Sequence, residues 1–483
     1  MKPLVLVAVA ALSGCAVGPD FQVPAAPDTQ TYTREAQPAA TVAANGAAGA
    51  SQTFNAALQA TPMWWTQFQS DALNRLVEQA LQQSPTLAQA RAKLIEAREN
   101  YNAQFGASEF PSVDANVSGV RQQIDIAQFG IPNVQNPGPF TLYNASVSVS
   151  YALDIFGGNR RALEALMAQV DYQAFEFEAA RLSLAGNVVS TAVRRASLQQ
   201  QIALTQSLKD TQAQQLSITQ GRFAAGGVSQ LDVRTQRTAL AQTRASLPPL
   251  ATQLAQADHQ LAILLGVAPS KADFGDVTLD SLHLPDTLPL TLPSTLARER
   301  PDIRASEALL HQASANVGVA TANLYPQFAL SAGIGSERTS IQDVVSGLNI
   351  WNFGLNLTQP IFHGGELRAK KRSAQAAYDA ALADYQQTVL QALQQVADTL
   401  TALQNDAHEL QARDDAAQQA QASLDIAHAQ YSVGGVSQFG LLDTQRQALQ
   451  TALDRTRAQA DRFADTAALF QALGGAWQVS AAQ

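Results

Sequence analysis

Four stretches of this chain alternate apolar and polar residues with a period of two. The alternation runs through residues 112–120, 144–154, 328–334 and 351–358. Successive side chains of a β-strand point to opposite faces, so each stretch predicts a strand with one apolar and one polar face. Turn-forming residues separate the members of each pair, as between Asn133 and Pro139. The pattern therefore predicts two β-hairpins, at residues 111–156 and 326–362.

Two equally long stretches, residues 158–225 and 366–433, favour helix. They contain no proline and are rich in Ala, Gln, Leu, Arg and Glu, which are good helix formers. Each helix would extend roughly 100 Å. A second helical pattern follows each stretch, with apolar residues at the alternating spacings of a coiled-coil seam. The seams contain Leu247, Leu250, Leu254, Ala257, Leu261 and Leu264, and then Leu449, Leu453, Thr456, Ala460, Phe463, Ala467 and Phe470.

A repeated pentapeptide joins the helices of each pair. Gly226-Gly227-Val228-Ser229-Gln230 recurs at residues 434–438, as Gly434-Gly435-Val436-Ser437-Gln438. Glycine readily adopts the left-handed conformation that ends a helix, so both copies predict a tight reversal. The alternative is two unrelated helices that share a pentapeptide by chance. The matched helix lengths and seams favour two internal repeats, each with a long helical hairpin.

The repeats divide the chain into six predicted segments. These are a signal peptide (1–14), an extended N-terminal segment (15–62), a first repeat (63–265) with β-hairpin 111–156 and helical hairpin 158–265, an inter-repeat linker (266–295), a second repeat (296–474) with β-hairpin 326–362 and helical hairpin 366–474, and a C-terminal tail (475–483). Few bulky apolar residues occur between 16 and 62, which predicts an extended or poorly ordered segment.

The N-terminus has the pattern of a lipoprotein signal. A basic start and a short apolar run lead to Leu12-Ser13-Gly14-Cys15, and the run is too short to span a bilayer. The sequence around Cys15 is a lipobox, so Cys15 is predicted to be acylated and to become the first mature residue. A plain signal with a coincidental cysteine is the alternative. Ala16, rather than Asp, follows the cysteine and favours the outer membrane.

Composition and motif content disfavour other classes of protein, although motifs alone leave a paired-carboxylate hydrolase open. The formal net charge of −9 and the pI of about 5.2 disfavour a nucleic-acid partner. The single cysteine excludes an intrachain disulfide. The histidines occur singly, and no metal-binding, nucleophile-elbow or phosphate-loop motif is present. The sequence therefore predicts no catalytic site, no metal site and no cofactor other than the lipid on Cys15.

The strands have the length and two-faced pattern of a transmembrane β-barrel, which has lipid outside and water inside. Small or polar residues such as Ser146, Ser148, Gly354 and Asn356 lie on the face that a lumen would use. Four strands cannot close a barrel, so several chains would have to share one. A half-buried sheet of a water-soluble protein would show the same alternation. A lipid-anchored structural or adaptor protein, which spans the periplasm without a pore, is therefore the alternative function.

Several motifs resemble the TolC-like outer-membrane efflux factors, specifically their lipid-anchored branch, the NodT-type lipoproteins that serve resistance-nodulation-division (RND) pumps. The motifs are Cys15-Ala16-Val17-Gly18-Pro19-Asp20, Trp64-Trp65 before Phe68, Asp154-Ile155-Phe156-Gly157 with Arg160-Arg161, Arg300-Pro301-Asp302-Ile303-Arg304, and Pro360-Ile361-Phe362 with Gly364-Gly365. They occur in the family's order and extend the resemblance from Cys15 to Trp477.

This resemblance implies an α+β membrane protein. Three chains of four strands each would form a twelve-stranded β-barrel in the outer membrane, and the long hairpins would continue it as a periplasmic α-helical barrel. The implied partners are two further copies of the chain, a periplasmic adaptor protein, an inner-membrane RND-type pump and outer-membrane lipid. The implied function is a passive exit duct of a tripartite efflux system.

The resemblance also assigns residues at the hairpin tips. Tyr431 and Asp443 match the family's inner hairpin, where a tyrosine begins the turn and acidic residues surround the periplasmic aperture. The other acidic position of the family is Gly440 here, and an arginine latch is replaced by Val436. Asp232 is the corresponding acid of the first repeat, and a simple helix cap explains it equally well. The turn residues Gly226, Gly227, Ser229, Gly434, Gly435 and Ser437 are the implied adaptor contacts.

Overall fold

The computed structural model of the protein describes residues 16–35, 37–58, 61–126, 130 and 135–475. The predicted signal peptide, Cys15, Trp477 and nearly all of the predicted tail lie outside the described residues. Among the helices of the described ranges, none is both long enough and apolar enough to cross a membrane.

The described residues form eight α-helices. They are α1 Asp71–Gln83, α2 Pro85–Glu109, α3 Gly158–Ala224, α4 Gln230–Leu264, α5 Pro293–Glu299, α6 Pro301–Ala322, α7 Glu366–Ser432 and α8 Gln438–Ala472. Helices α3 and α7 contain 67 residues each, and the return helices α4 and α8 contain 35 each. The observed ends of α3 and α7 lie one residue from the predicted ends.

Two helix features differ from the sequence pattern. Helix α5 begins at Pro293, inside the predicted linker, because proline suits the first turn of a helix. Helix α4 contains Pro248 and Pro249 in its interior. Since proline has no amide hydrogen, the carbonyl groups of Arg244 and Ala245 lose their usual helical donors.

Six strands are described: β1 Thr53–Asn55, β2 Ser112–Gln122, β3 Phe140–Leu153, β4 Thr287–Pro289, β5 Gln327–Arg338 and β6 Ile350–Thr358. Strands β2, β3, β5 and β6 form one sheet in that order, and every neighbouring pair is antiparallel. Strand β1 pairs in parallel with β4. The register aligns Leu153 with Phe328 and Gln327 with Thr358.

The chain divides into two compact units. The strand unit contains Lys93–Gln173, Ser306–Tyr385 and the described residues before Ala25. The hairpin unit contains Ala25–Ala92, Ala174–Ala305 and the remainder from Gln386. Each unit therefore takes segments from both sequence repeats.

The sheet of the strand unit exposes its apolar face. Val117 is 82% exposed, Trp351 is 80% exposed and Phe353 is 68% exposed. The residues that flank Val117 and Phe353 are polar or small, as the alternation predicts, whereas Trp351 follows Ile350. An apolar face of this kind is normally covered by another surface or by lipid.

The core of the hairpin unit contains an aromatic cluster. Trp64 stacks on Phe470 with ring centroids 5.5 Å apart, and Phe68 lies against Phe463 at 6.2 Å. All four side chains are almost completely buried. Because aromatic side chains bury large areas, this cluster holds the Trp64–Phe68 turn against α8.

The N-terminal segment is extended and packed rather than poorly ordered. The fully buried Arg462 donates to the Thr41 hydroxyl at 3.0 Å and to the Ala50 carbonyl at 2.7 Å. Asn45 donates to the buried carboxylate of Asp414 at 2.7 Å. Composition predicted an extended or poorly ordered segment because the segment has little apolar bulk. Polar contacts with α7 and α8 supply the missing interactions.

Candidate functional site: the hairpin tips

Each long helix ends in the same glycine turn. Gly226 and Gly434 have φ angles of 77° and 79°, in the left-handed region. The amides of Gly227 and Gly435 each donate to the carbonyl five residues earlier, at 2.8 Å. This six-to-one bond, together with the inner bond from the preceding glycine, defines the Schellman motif that terminates helices. The two tips therefore share one backbone conformation.

The caps of the return helices differ. In the first tip, the Ser229 hydroxyl accepts from the Asp232 amide at 3.2 Å, and the Asp232 carboxylate accepts from the Ser229 amide at 2.9 Å. This capping box lowers the pKa of Asp232, chiefly through the Ser229 hydroxyl. In the second tip, Ser437 accepts from the Gly440 amide at 3.1 Å. A Cβ atom at Gly440 would lie 2.9 Å from Val436 Cγ2, so Val436 fills the space.

A chain of amide side chains joins the two hairpins. The Tyr431 hydroxyl donates to Gln438, and the Gln438 amide donates to Gln236. Gln236 then donates to the Gln212 carbonyl at 3.1 Å. The guanidinium group of Arg222 lies 5.5 Å from the centroid of the Tyr431 ring. Gln236 and Gln438 are both buried, so this polar connection is shielded from water.

The predicted aperture residue Asp443 has a local cationic partner. Arg446 Nη2 lies 2.6 Å from Asp443 Oδ1, one helical turn along α8. Both residues line a groove of about 550 Å³ between α4 and α8, together with the exposed Leu231 and Phe439. Arg446 offsets the negative charge that Asp443 alone would present.

The three predicted aperture residues therefore have different surroundings in the structure. Tyr431 lies in the hydrogen-bonded chain, Asp443 lines the groove and the carboxylate of Asp232 is engaged in its cap. Sequence reasoning missed Gln236 and Arg446. The spacing of Asp443 and Arg446 was a readable signal, whereas Gln236 and Gln438 are 202 positions apart in sequence.

A second polar cluster lies between α7 and α8. Burial and a hydrogen bond with Asp465 raise the pKa of Asp406 to about 8. Burial also raises the pKa of Asp461 and lowers that of Arg462 to about 10. No group of three or more His, Cys, Asp or Glu side chains in the described ranges could hold a metal ion.

Long paired hairpins, joined to a four-stranded sheet with an exposed apolar face, define a class of outer-membrane channel proteins. The chain has this fold: it superposes on the solved structure of the outer-membrane channel OprN with a TM-score of 0.83 and 29% sequence identity, over 96% of this chain and 100% of that chain. The Campylobacter jejuni CmeC outer membrane channel has the same fold, with a TM-score of 0.84 at 22% identity.

Sequence comparison gives the same result. The profile of the outer membrane efflux protein family matches residues 76–267 and 292–475. The pyoverdine export outer membrane protein OpmQ of Pseudomonas putida is 30% identical over 86% of this chain and 88% of its own length. Nodulation protein T of Rhizobium leguminosarum bv. viciae is 28% identical over 90% of this chain and 85% of its own length. The chain belongs to the outer membrane efflux protein family.

These findings confirm the predicted family, fold class, outer-membrane location and role as the outer-membrane component of an efflux system. The relatives are efflux channel proteins rather than enzymes.

Proposed function

We propose that three copies of this chain form one continuous channel that carries solutes passively out of the cell. An inner-membrane RND-type pump would deliver the solutes through a periplasmic adaptor. The observation that carries the proposal is the open four-stranded sheet. Its two outer strands, β2 and β6, run in opposite directions because three antiparallel pairings connect them.

The outer strands are complementary across copies. Strand β6 of one copy can pair antiparallel with β2 of the next, which continues the sheet around a ring. Backbone groups cannot remain unpaired in hydrocarbon, and known membrane barrels need at least about eight strands. Three copies supply twelve strands. The exposed Val117, Trp351 and Phe353 would then face lipid.

The test is the mass of the assembled protein. We expect native mass spectrometry of the detergent-solubilised protein to show a trimer, and we expect no membrane-inserted monomer, because each monomer has two open strand edges. A folded monomer with an intact β signal would contradict the proposal. That result would favour the alternative, a lipid-anchored structural or adaptor protein without a pore, although such a protein has no need for four two-faced strands.

The tips are proposed as the periplasmic aperture and adaptor contact. Tyr431, Asp443 and Asp232 would surround the aperture, and the turn residues named above would contact the adaptor. Arg446 changes the electrostatic expectation, because it places a positive charge beside each Asp443 carboxylate. The ring of three carboxylates would therefore be partly neutralised.

Two substitutions that remove charges of opposite sign test whether Asp443 lines the aperture. In planar bilayers, Asp443→Ala should weaken block of the current by multivalent cations, and Arg446→Ala should strengthen it, each about two- to fivefold because the pair is solvent-exposed. Equal block by cations in the parent protein and in both variants would show that Asp443 does not line the aperture.

The anchor is proposed at Cys15. In the strand unit, the Val17 amide donates to the Phe156 carbonyl at 3.1 Å, and Arg161 donates to Asp20 at 2.5 Å. These contacts hold the residues after Cys15 beside the end of β3, where an acyl chain would reach the same bilayer as the strands. Cys15→Ser should abolish labelling with radioactive palmitate, and undiminished labelling would exclude this site.

We also propose that the protein has no catalytic turnover, no cofactor other than the lipid and no nucleic-acid partner. The efflux relatives, the isolated histidines and the net charge of −9 support this.

A further inference from the structure

Aromatic residues mark one edge of the sheet. Phe110 precedes β2, Phe156 follows β3, Tyr325 precedes β5 and Phe362 follows β6. Because neighbouring strands are antiparallel, these four positions lie at the same edge, the one that continues into the helices. Aromatic residues are enriched where a membrane barrel meets the bilayer surface. This edge therefore marks the periplasmic boundary of the hydrocarbon.

An exposed apolar and basic surface begins at this boundary. Ile361 is 94% exposed and Phe362 is 87% exposed. Helix α7 follows, with Arg368, Lys371 and Arg372 at the spacing that places side chains on one helix face. We call these three cations the basic face of α7. Both arginines are exposed and Lys371 is half-buried.

Among its described residues, helix α7 supplies no acidic partner to these three cations. Lys370 is paired with Glu366 at 2.6 Å, but Arg368, Lys371 and Arg372 have no ion-pair partner among the described residues. Like charges at this spacing repel each other, and cations near a helix N-terminus oppose the helix dipole. An anion outside the chain would reverse both penalties.

The first repeat provides a contrast. Arg160 lies at the same place in α3 as Arg368 in α7, on the third residue of the helix. The Asp154 carboxylate accepts from the Arg160 amide at 2.9 Å and lies 3.5 Å from its Nε atom. The next residue, Arg161, contacts both Asp20 and Glu164. Acidic side chains of the protein itself therefore neutralise the two arginines at the start of α3. The basic face of α7 has no such partners among the described residues.

We propose that the basic face of α7 binds the headgroups of anionic phospholipids in the periplasmic leaflet. This inference rests on the proposed insertion of the strands in the bilayer. The headgroup region adds roughly 5–8 Å beyond the hydrocarbon on each side. Arg368 to Arg372 span about 6 Å along the helix axis, which is comparable with the thickness of that layer. Phe362 and Ile361 would contact the acyl boundary while the cations reach the phosphates.

Lipid retention tests this surface. The full-length protein is reconstituted in nanodiscs of phosphatidylethanolamine mixed with phosphatidylglycerol, and the lipids that remain bound after release are identified by native mass spectrometry. Each cation near an anionic surface contributes about a fivefold gain in affinity, so Arg368→Gln/Lys371→Gln/Arg372→Gln should lower retained phosphatidylglycerol at least about tenfold. The single variants Arg368→Gln and Arg372→Gln should each lower it about fivefold, and they keep the test valid if the triple variant does not assemble.

Two controls isolate the position and the charge. Arg234→Gln/Arg237→Gln/Arg244→Gln removes the same charge from exposed residues of α4, and Arg368→Lys/Arg372→Lys keeps the charge. Both should retain phosphatidylglycerol at the parent level. Equal retention by the neutralised α7 variants and the α4 control would overturn the inference. Unchanged retention with altered ion selectivity in planar bilayers would also overturn it and would place the basic face in the lumen.

Carbonate extraction of the parent protein separates the two proposals. A parent that carbonate removes from membranes has no inserted strands, which would overturn the proposed function and the lipid site together. A parent that resists extraction, with variants that keep phosphatidylglycerol, would overturn the lipid site alone.

Discussion

The two helical hairpins have the same backbone and different interiors. Their long helices are equal in length, their return helices are equal in length, and both tips close with a Schellman turn. At the offset of the repeated pentapeptide, however, Asp406 and Asp465 of the second hairpin correspond to Leu198 and Ala257 of the first. Arg462 likewise corresponds to Leu254.

Packing of the N-terminal segment explains why Arg462 occupies a position that is apolar in the first hairpin. Its backbone and hydroxyl groups accept hydrogen bonds from Arg462, and Asn45 satisfies Asp414. A buried charge is tolerated only where such partners exist. Glycine turns and helix lengths are therefore the same in both repeats, whereas the interior side chains of each repeat match the segment that covers them.

The largest effect is expected at the last residue of the repeated pentapeptide, which is Gln230 in the first tip and Gln438 in the second. Gln438 is buried and bonded to Gln236, whereas its counterpart Gln230 in the first tip is exposed. Gln438→Ala leaves the buried Gln236 without this partner and should destabilise the tip by about 1–3 kcal/mol. Hydrogen exchange of the tip peptides measures the local opening free energy.

Gln230→Ala is the matched control and should change that free energy by less than about 0.5 kcal/mol. Gln236→Ala/Gln438→Ala should cost less than the sum of the single variants, since they share one bond. Equal effects at Gln230 and Gln438 would show that the two tips do not differ in this respect.

A smaller and symmetrical effect is expected at the turns. Gly226→Ala and Gly434→Ala place a Cβ on a left-handed residue and should each cost about 1–2 kcal/mol. Gly227→Ala and Gly435→Ala should cost less, because neither glycine has a left-handed φ and a Cβ there meets its nearest atom at an ordinary 3.5 Å. Exchange of the tip amides again reports the change. An equal cost at both positions of a pair would contradict the left-handed assignment.

The smallest effect on stability is expected at Asp406, in the interior of the second hairpin, and it depends on pH. The pKa of Asp406 in the folded protein, about 8, exceeds the usual unfolded value of about 3.9. The folded state therefore holds the proton more tightly, so this contribution to stability is complete below the unfolded pKa and is lost as pH rises through about 8. Asp406→Asn should be more stable than the parent at pH 9 by on the order of 1 kcal/mol after allowance for partial exposure.

Thermal unfolding at pH 6 and pH 9 measures this difference. Asp415→Asn, which removes an exposed acid from the same helix, should follow the parent at both pH values. If the thermal unfolding midpoint of the parent protein is not lower at pH 9 than at pH 6, the raised pKa of Asp406 is contradicted.

Local chemistry made much of this fold predictable. Alternation located the four strands of the main sheet, and glycine with helix-forming composition placed the ends of α3 and α7 within one residue. The family motifs identified the class of channel. The caps at Ser229 and Ser437 depend on residues three positions away, which is a distance that sequence patterns can resolve.

Long-range side-chain contacts were not predictable in the same way. The burial of Gln438 depends on Gln236 in another hairpin, and the order of the N-terminal segment depends on Arg462, which follows Thr41 by 421 residues. Periodicity reports which face of an element is apolar, but it does not report which distant polar group will satisfy a buried one. The partner of Asp443 was nevertheless local.

The paired prolines of α4 give the two return helices unequal stiffness. Pro248 and Pro249 interrupt the amide ladder of α4, whereas Thr456 and Arg457 continue it at the same place in α8. Bending is easiest where such bonds are missing. Helix α4 is therefore expected to bend near residue 248 when the first tip is displaced. Helix α8, which has no proline in its interior, is expected to remain straight over the corresponding region.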